Sequence, residues 1–217
     1  YVFLSLSDPW RAWDGRYAPD SRGALVLEVL VDTLVARLEA DSALALEAGY
    51  YRRKGRLRTV LPELLEPVDE ARVAGWLRSG LERATDLLEA GETWGSVHRL
   101  RLDHLLANIP LLGRRYRGLD LPAAGSFETL HKTAHPTLEE DDPHRSFYGS
   151  QSRHVSDLGD PDANWFVLLG GQDGWIGSST WLDQVALWRR GGYVRMPLTP
   201  ERVAQDFPRG MVLKSAP

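Results

Sequence analysis

Three stretches of this chain hold residue types that could do chemistry. In SQSRHVSD, Ser152, His154 and Asp157 are the residue types of a nucleophile, a base and an orienting acid. Along a strand, however, Ser152 and His154 share one face and Asp157 points to the other, so the three converge only if the strand breaks. Farther upstream, His135 and His144 flank Glu139, Glu140, Asp141 and Asp142, a set that could ligate a divalent cation through imidazole and carboxylate. The competing reading is a solvated acidic loop bounded by Pro136 and Pro143. His98 and His104 form a third candidate, on one face of an alternating segment, where buried or rim histidines are the simpler expectation.

The loop GGQDGWIG is of another kind. Its glycines permit close backbone approach, the Gln172 amide can donate and accept, and Trp175 is expected to plug an apolar gap. No Gly-Lys-Ser/Thr or GxGxxG pattern makes it a phosphate loop. YYRRKGRLR holds five basic residues with two tyrosines and could be argued as a nucleic-acid patch, but a solvated connection between helices explains it, and the rest of the chain is not basic.

The elements that must position these residues are of both kinds, so the fold class is α+β, with helices in the N-terminal half and strands mainly in the C-terminal half. Leu27, Leu30, Val31, Leu34, Val35 and Leu38 recur at helical spacing after Pro19, Asp20 and Ser21, predicting a helix over roughly 22–40. A second helix is expected after Pro67, with Val73, Trp76, Leu77, Leu81, Ala84, Leu87 and Leu88 on one stripe and Gly91 as its stop. From 97 to 104 the alternation of VHRLRLDH predicts a half-buried strand, and 108–125 reads as an irregular connection. SFETLHKTAH reads as a strand and NWFVLLG as a strand covered on both faces. Ser178 or Ser179 is expected to cap a helix running to about Arg190 and ended by Gly191. VRMPL reads as a short edge strand, Thr199 and Pro200 as the cap and first position of a last helix, and MVLK as a terminal strand.

Composition excludes several classes of function. The chain has 217 residues, 43% of them hydrophobic and 26% charged, with a formal net charge of -4. The charges are interspersed, which favours neither nucleic acid nor an anionic membrane surface. No apolar run approaches the roughly 18 residues of a membrane span. The absence of cysteine removes thiolate nucleophiles and thiolate metal sites. The opening YVFLSLSDPW carries no charged leader, so Tyr1 reads as a cut end within a longer precursor.

WDGRYAPDSRGALVLEVL at 13–30, TWGSVHRLRLDHLL at 93–106 and RHVSDLGDPDANWFVLLGGQDGWIGSSTWLDQVALWRRGGYVRMPLT at 153–199 together resemble the C-terminal part of the β chain in the penicillin amidase (penicillin acylase) family. The last block is the most specific, through GGQ, Gly174, Ser178 and the Asp183-Gln184 pair. Stretches 41–66 and 136–149 match least and read as variable connections.

The resemblance implies an N-terminal-nucleophile (Ntn) hydrolase with a four-layer αββα sandwich, made as a precursor that cuts itself into two chains. It implies that residues 1–217 are one C-terminal segment with no independent second domain. A Ser at the start of the β chain would attack the amide with its own α-amino group as base. That Ser, the oxyanion Asn and the acyl pocket align before Trp13, so the resemblance assigns no catalytic, substrate-binding or metal residue to this chain. It implies no cofactor here, with calcium, where family members hold it, bound upstream. Substrates would be penicillins, acyl-homoserine lactones or lipopeptides, and the partners the remainder of the α and β chains. The location would be periplasmic or secreted, and these residues alone would be inactive. The alternatives are a non-catalytic folded module or partner-binding domain, and an independent metal or Ser/His hydrolase built on the histidines above.

Overall fold

The computed structural model describes residues 12–135, 145–146 and 148–210. The fold is α+β and divides into two compact units: the first holds residues up to Asp103 together with Arg117–Tyr148, the second His104–Tyr116 together with Gly149 onward.

In the first unit, helix α1 (Arg22–Ala40) starts where Ser21 Oγ accepts a hydrogen bond from the Ala24 N–H. Nearly all of its circumference is covered, and Leu25, Val26, Val29 and Leu38 are buried. Helix α2 (Ala45–Arg53) and the short α3 (Leu61–Leu65) fill the stretch expected to be a connection. Helix α4 (Glu70–Glu89) is capped by Asp69, and Ala90 then leads into Gly91 at φ 85°, a conformation glycine adopts without penalty. Its buried residues Trp76, Gly80, Ala84 and Leu88 repeat every four positions, the spacing that lays one stripe against α1. Leu34, Leu38, Leu57, Leu61, Leu64 and Trp76 gather at one end of this pair, and Leu25, Val29, Ala84 and Leu88 at the other.

Helix α5 (Trp94–Val97) leads into strand β1 (Arg99–Leu102), which pairs antiparallel with β2 (Leu119–Pro122), Leu100 lying opposite Leu121. The strand is shorter than 97–104, and β2 falls within a segment expected to be irregular. Of SFETLHKTAH only β3 (Thr133–Ala134) is extended, because Thr129 folds the segment back through hydrogen bonds with the Ser126 N–H and the His131 carbonyl. Strand β4 (Arg145–Ser146) runs parallel to β1, and β5 is Tyr148–Gly149.

The second unit is built on an antiparallel sheet of β6 (Ser152–Ser156), β7 (Asn164–Leu168) and β8 (Val194–Arg195), with β7 in the centre. Asn164 and Val167 are buried and the residues between them half-buried, in keeping with a strand covered on both faces. Helix α6 (Val185–Arg189) seats Trp188 in the core, its indole N–H donating to the Ser150 carbonyl at 2.8 Å. The helix begins later than Ser178 or Ser179 and has no side-chain cap. Helix α7 (Pro200–Asp206) starts after Thr199, as the sequence predicts. Asp162 ties this helix start to the sheet by accepting from the Leu198 and Thr199 N–H groups and the Thr199 hydroxyl at 2.7–2.9 Å. The expected MVLK strand lies outside the described residues. No helix among the described residues is long and apolar enough to cross a membrane.

Candidate functional site

The densest set of buried polar side chains lies in the first unit and joins positions that no local sequence pattern connects. Glu28, on α1, is 2% exposed. Arg58 forms a close ion pair with it and stands 3.8 Å from Asp32 one turn on. Ser126 Oγ donates to Glu28 Oε1 at 2.6 Å. His135 places Nε2 3.6 Å from Glu28 Oε2 and 3.5 Å from Ser126 Oγ. Burial alone would push the Glu28 carboxyl up. The charge of Arg58, then that of His135 and the hydrogen bonds from Ser126 and Arg58, outweigh it and hold the group below the usual glutamate range. The Tyr17 phenol is pushed the other way, by burial first and by the Glu28 charge second.

Above this network lies a depression of about 300 Å³ lined by Tyr17, Leu27, Val31, Leu61 and Phe127. Beneath it the imidazoles are packed as core. His98 is fully buried, stacked on Trp94 with ring centroids 4.4 Å apart and edge-on to His135 at 4.8 Å. Thr133 Oγ1 gives its single proton to the Ala124 carbonyl at 2.9 Å, so His98 Nε2 donates to that oxygen across 2.8 Å.

Ser126, His135 and Glu28 are triad residue types, but the protons run the wrong way for nucleophilic catalysis. The Ser126 proton goes to a carboxylate that two other groups, Arg58 and His135, stabilise as an anion. A general base works best with a pKa near the operating pH, and Glu28 is held below even the usual glutamate range. The arrangement therefore locks α1 to the segments carrying Arg58, Ser126 and His135. Neither Glu28 nor Ser126 stood out in the sequence, and Arg58, read there as part of a solvated connection, is mostly buried.

The other candidates are not brought together. Ser152 and His154 lie on the exposed edge strand β6, where His154 Nε2 meets Ser156 Oγ at 3.0 Å. Asp157 turns away to accept from the Gly159 N–H at 2.9 Å. In the proposed metal set, residues 136–144 lie outside the described residues, and His135 faces Glu28. No three His, Asp or Glu side chains converge in metal-binding fashion among the described residues. His104 lies beyond the end of β1 in the second unit, its Nδ1 accepting from the Leu106 N–H and its Nε2 donating to the Gly174 carbonyl.

In the glycine loop, Gly171 supports the expectation of close approach, since a Cβ there would collide with the Thr180 carbonyl and stand 2.6 Å from Asp183 Oδ1. Gln172 contributes its backbone N–H, bonded to the Thr180 carbonyl at 2.7 Å, while its side chain is exposed. Trp175 is 80% exposed and plugs nothing. The organising side chain is Asp173, which accepts from Ser178 Oγ at 2.6 Å, from Thr180 Oγ1 and from the Trp175 N–H at 2.8 Å. These bonds, that from Ser178 first, hold its carboxyl below the usual aspartate range. They also explain why Ser178 does not cap a helix. Gln184 ties the loop to the sheet, accepting from the Leu168 N–H at 2.9 Å while its own N–H reaches the Gly170 carbonyl.

Among the described residues, His98 is packed as core, His104 bonds backbone groups, and His135 faces the buried Glu28 carboxylate. Comparison with known proteins gives the chain a family. The sequence profile described as penicillin amidase matches residues 7–205, and the chain belongs to that family. It is 28% identical over 209 residues to the penicillin acylase 2 proenzyme of Pseudomonas sp. (strain SE83), covering 90% of this chain and 26% of that protein. The chain thus spans about a quarter of the length of that relative.

Proposed function

We propose that the chain is the C-terminal segment of an acylase that hydrolyses an acyl amide of the penicillin, acyl-homoserine lactone or lipopeptide type. The observation that carries this reading is the family match running from residue 7 to residue 205, through both compact units. The nucleophile on this reading is a Ser at the start of the β chain, in polypeptide outside these residues. Its α-amino group serves as base, and the amide is cleaved through an acyl-enzyme that water then hydrolyses. The two units contribute helices and strands to an αββα sandwich with the remaining α and β chain segments as partners. Glu28, Asp162, Asp173 and Gln184 hold local structure and touch no substrate. Any calcium belongs to the remaining polypeptide, and the assembled enzyme is exported to the periplasm or secreted.

The test is turnover by the full-length translation product of phenylacetyl, penicillin and long-chain acyl-homoserine lactone amides, beside the 217-residue chain alone. Hydrolysis by the full-length protein only is the expected result. Turnover by the 217 residues alone, lost on substitution within them, would overturn the proposal.

A further inference from the structure

Apolar side chains in the second unit are presented to solvent by a loop whose backbone is fixed. Within eight positions, Leu105 is 82% exposed, Ile109 40%, Leu111 99% and Leu112 53%. Such clustering is not the scattered exposure normal on a protein surface. Leu111 sits at φ 67°, the left-handed region in which a residue other than glycine is strained, and its side chain gains no burial in exchange.

The loop is nevertheless closed and anchored. The His104 N–H bonds the Tyr116 carbonyl at 3.0 Å across its neck, and the His104 and Tyr116 rings lie 5.8 Å apart at an angle of 29°. On one side of the ring Nδ1 holds the Leu106 N–H, and on the other Nε2 holds the Gly174 carbonyl at 3.0 Å. That second bond brings the loop beside Trp175, 80% exposed, and Ile176, 40% exposed. Trp175 is itself fixed through its N–H on Asp173. The His104–Gly174 bond joins two hydrogen-bonded loops that each present exposed apolar side chains, and a backbone tied down in this way lowers the ordering cost of docking.

We infer that this surface, centred on Leu105, Leu111 and Trp175, is the docking face for the rest of the acylase polypeptide, on an apolar patch of that polypeptide. The inference rests on the proposed function, and the occupant is chosen by size: the matched relative is about four times as long as the region it shares with this chain. A loop held in strain with exposed leucines is explained when most of a protein packs onto it.

The experiment uses the full-length protein with a single cysteine in place of Leu105, Leu111 or Trp175, and site-resolved mass spectrometry to follow alkylation in native and denatured protein. Native alkylation at least about tenfold slower than denatured alkylation at all three sites, independent of protein concentration, is the expected result. Equal rates would overturn the inference, and so would protection lost on dilution, which would assign the face to a second copy. Amide turnover measured on the same samples tests the acylase reading separately, so that reading can fail while the docking face stands, and the reverse.

Discussion

Ser126 and Glu28, ninety-eight positions apart in the chain, share a buried hydrogen bond of 2.6 Å. Its direction, from hydroxyl to carboxylate, makes the pair a fastening and removes Ser126 from the candidates for nucleophile. Ser126→Ala should lower stability by about 1–2 kcal/mol, the cost of leaving a buried acceptor short of one partner. Denaturant titration measures the loss, and on the proposed function kcat of the full-length protein for amide hydrolysis should be unchanged at temperatures where the variant is folded.

Glu28→Gln should cost more, about 3 kcal/mol, because it leaves the Arg58 charge buried beside a neutral amide. Unfolding of Glu28→Gln and wild type in parallel reads the difference, and near-equal midpoints would refute the pairing.

The same carboxylate sets a pH dependence. Its folded pKa lies below its ordinary value of 4.5, so the unfolded chain binds the proton more readily than the folded one. The stabilisation is therefore complete above that value and is lost as pH falls through it toward the lower folded value. Wild type should lose stability over that acidic window more steeply than Glu28→Gln. Parallel slopes for the two proteins would contradict the assignment.

In the second unit the contrast is between two glutamines of the same loop region. Gln184→Ala removes the acceptor for the half-buried Leu168 N–H and should cost about 1–2 kcal/mol. Gln172→Ala alters an exposed side chain and should stay within about 0.5 kcal/mol. Thermal unfolding of both variants tests the assignment, which fails if the order is reversed.

Gly171→Ala should destabilise by about 1–3 kcal/mol, since a methyl there meets the Thr180 carbonyl and can be accommodated only by moving the backbone. The check is the amide exchange of the Gln172 N–H, which should quicken in the variant as its bond to Thr180 opens.

Local signals in the sequence carried the helical part of the fold. The stripes of α1 and α4, the Ser21 cap, the Gly91 stop, the edge strand near Pro197 and the Thr199-Pro200 helix start all depend on residues within a few positions of each other. Helices α2 and α3 were missed because their apolar residues are few and broken by the basic run. The Glu28, Arg58, Ser126 and His135 lock was not legible, since it joins four segments through charge and hydrogen bonding with no periodic trace. In the glycine loop the close approach at Gly171 was legible from composition. The roles of its side chains were not: Asp173 organises the turn that Gln172 and Trp175 were expected to fill, because its short carboxylate reaches neighbouring hydroxyls and N–H groups that a longer amide overshoots. The resemblance carried the family, which the comparison bears out, and it did so through blocks that lie on these packing features.

The central claim is that these residues support an amide-cleaving enzyme without supplying its nucleophile. Labelling the full-length, active protein with a serine-reactive sulfonyl fluoride and mapping the adduct by peptide mass spectrometry tests it most directly. The account expects one stoichiometric adduct, formed as turnover is lost, on a Ser at a chain start outside residues 1–217. An adduct on Ser126, Ser152 or any other side chain within these residues that accompanies the loss of activity would contradict it.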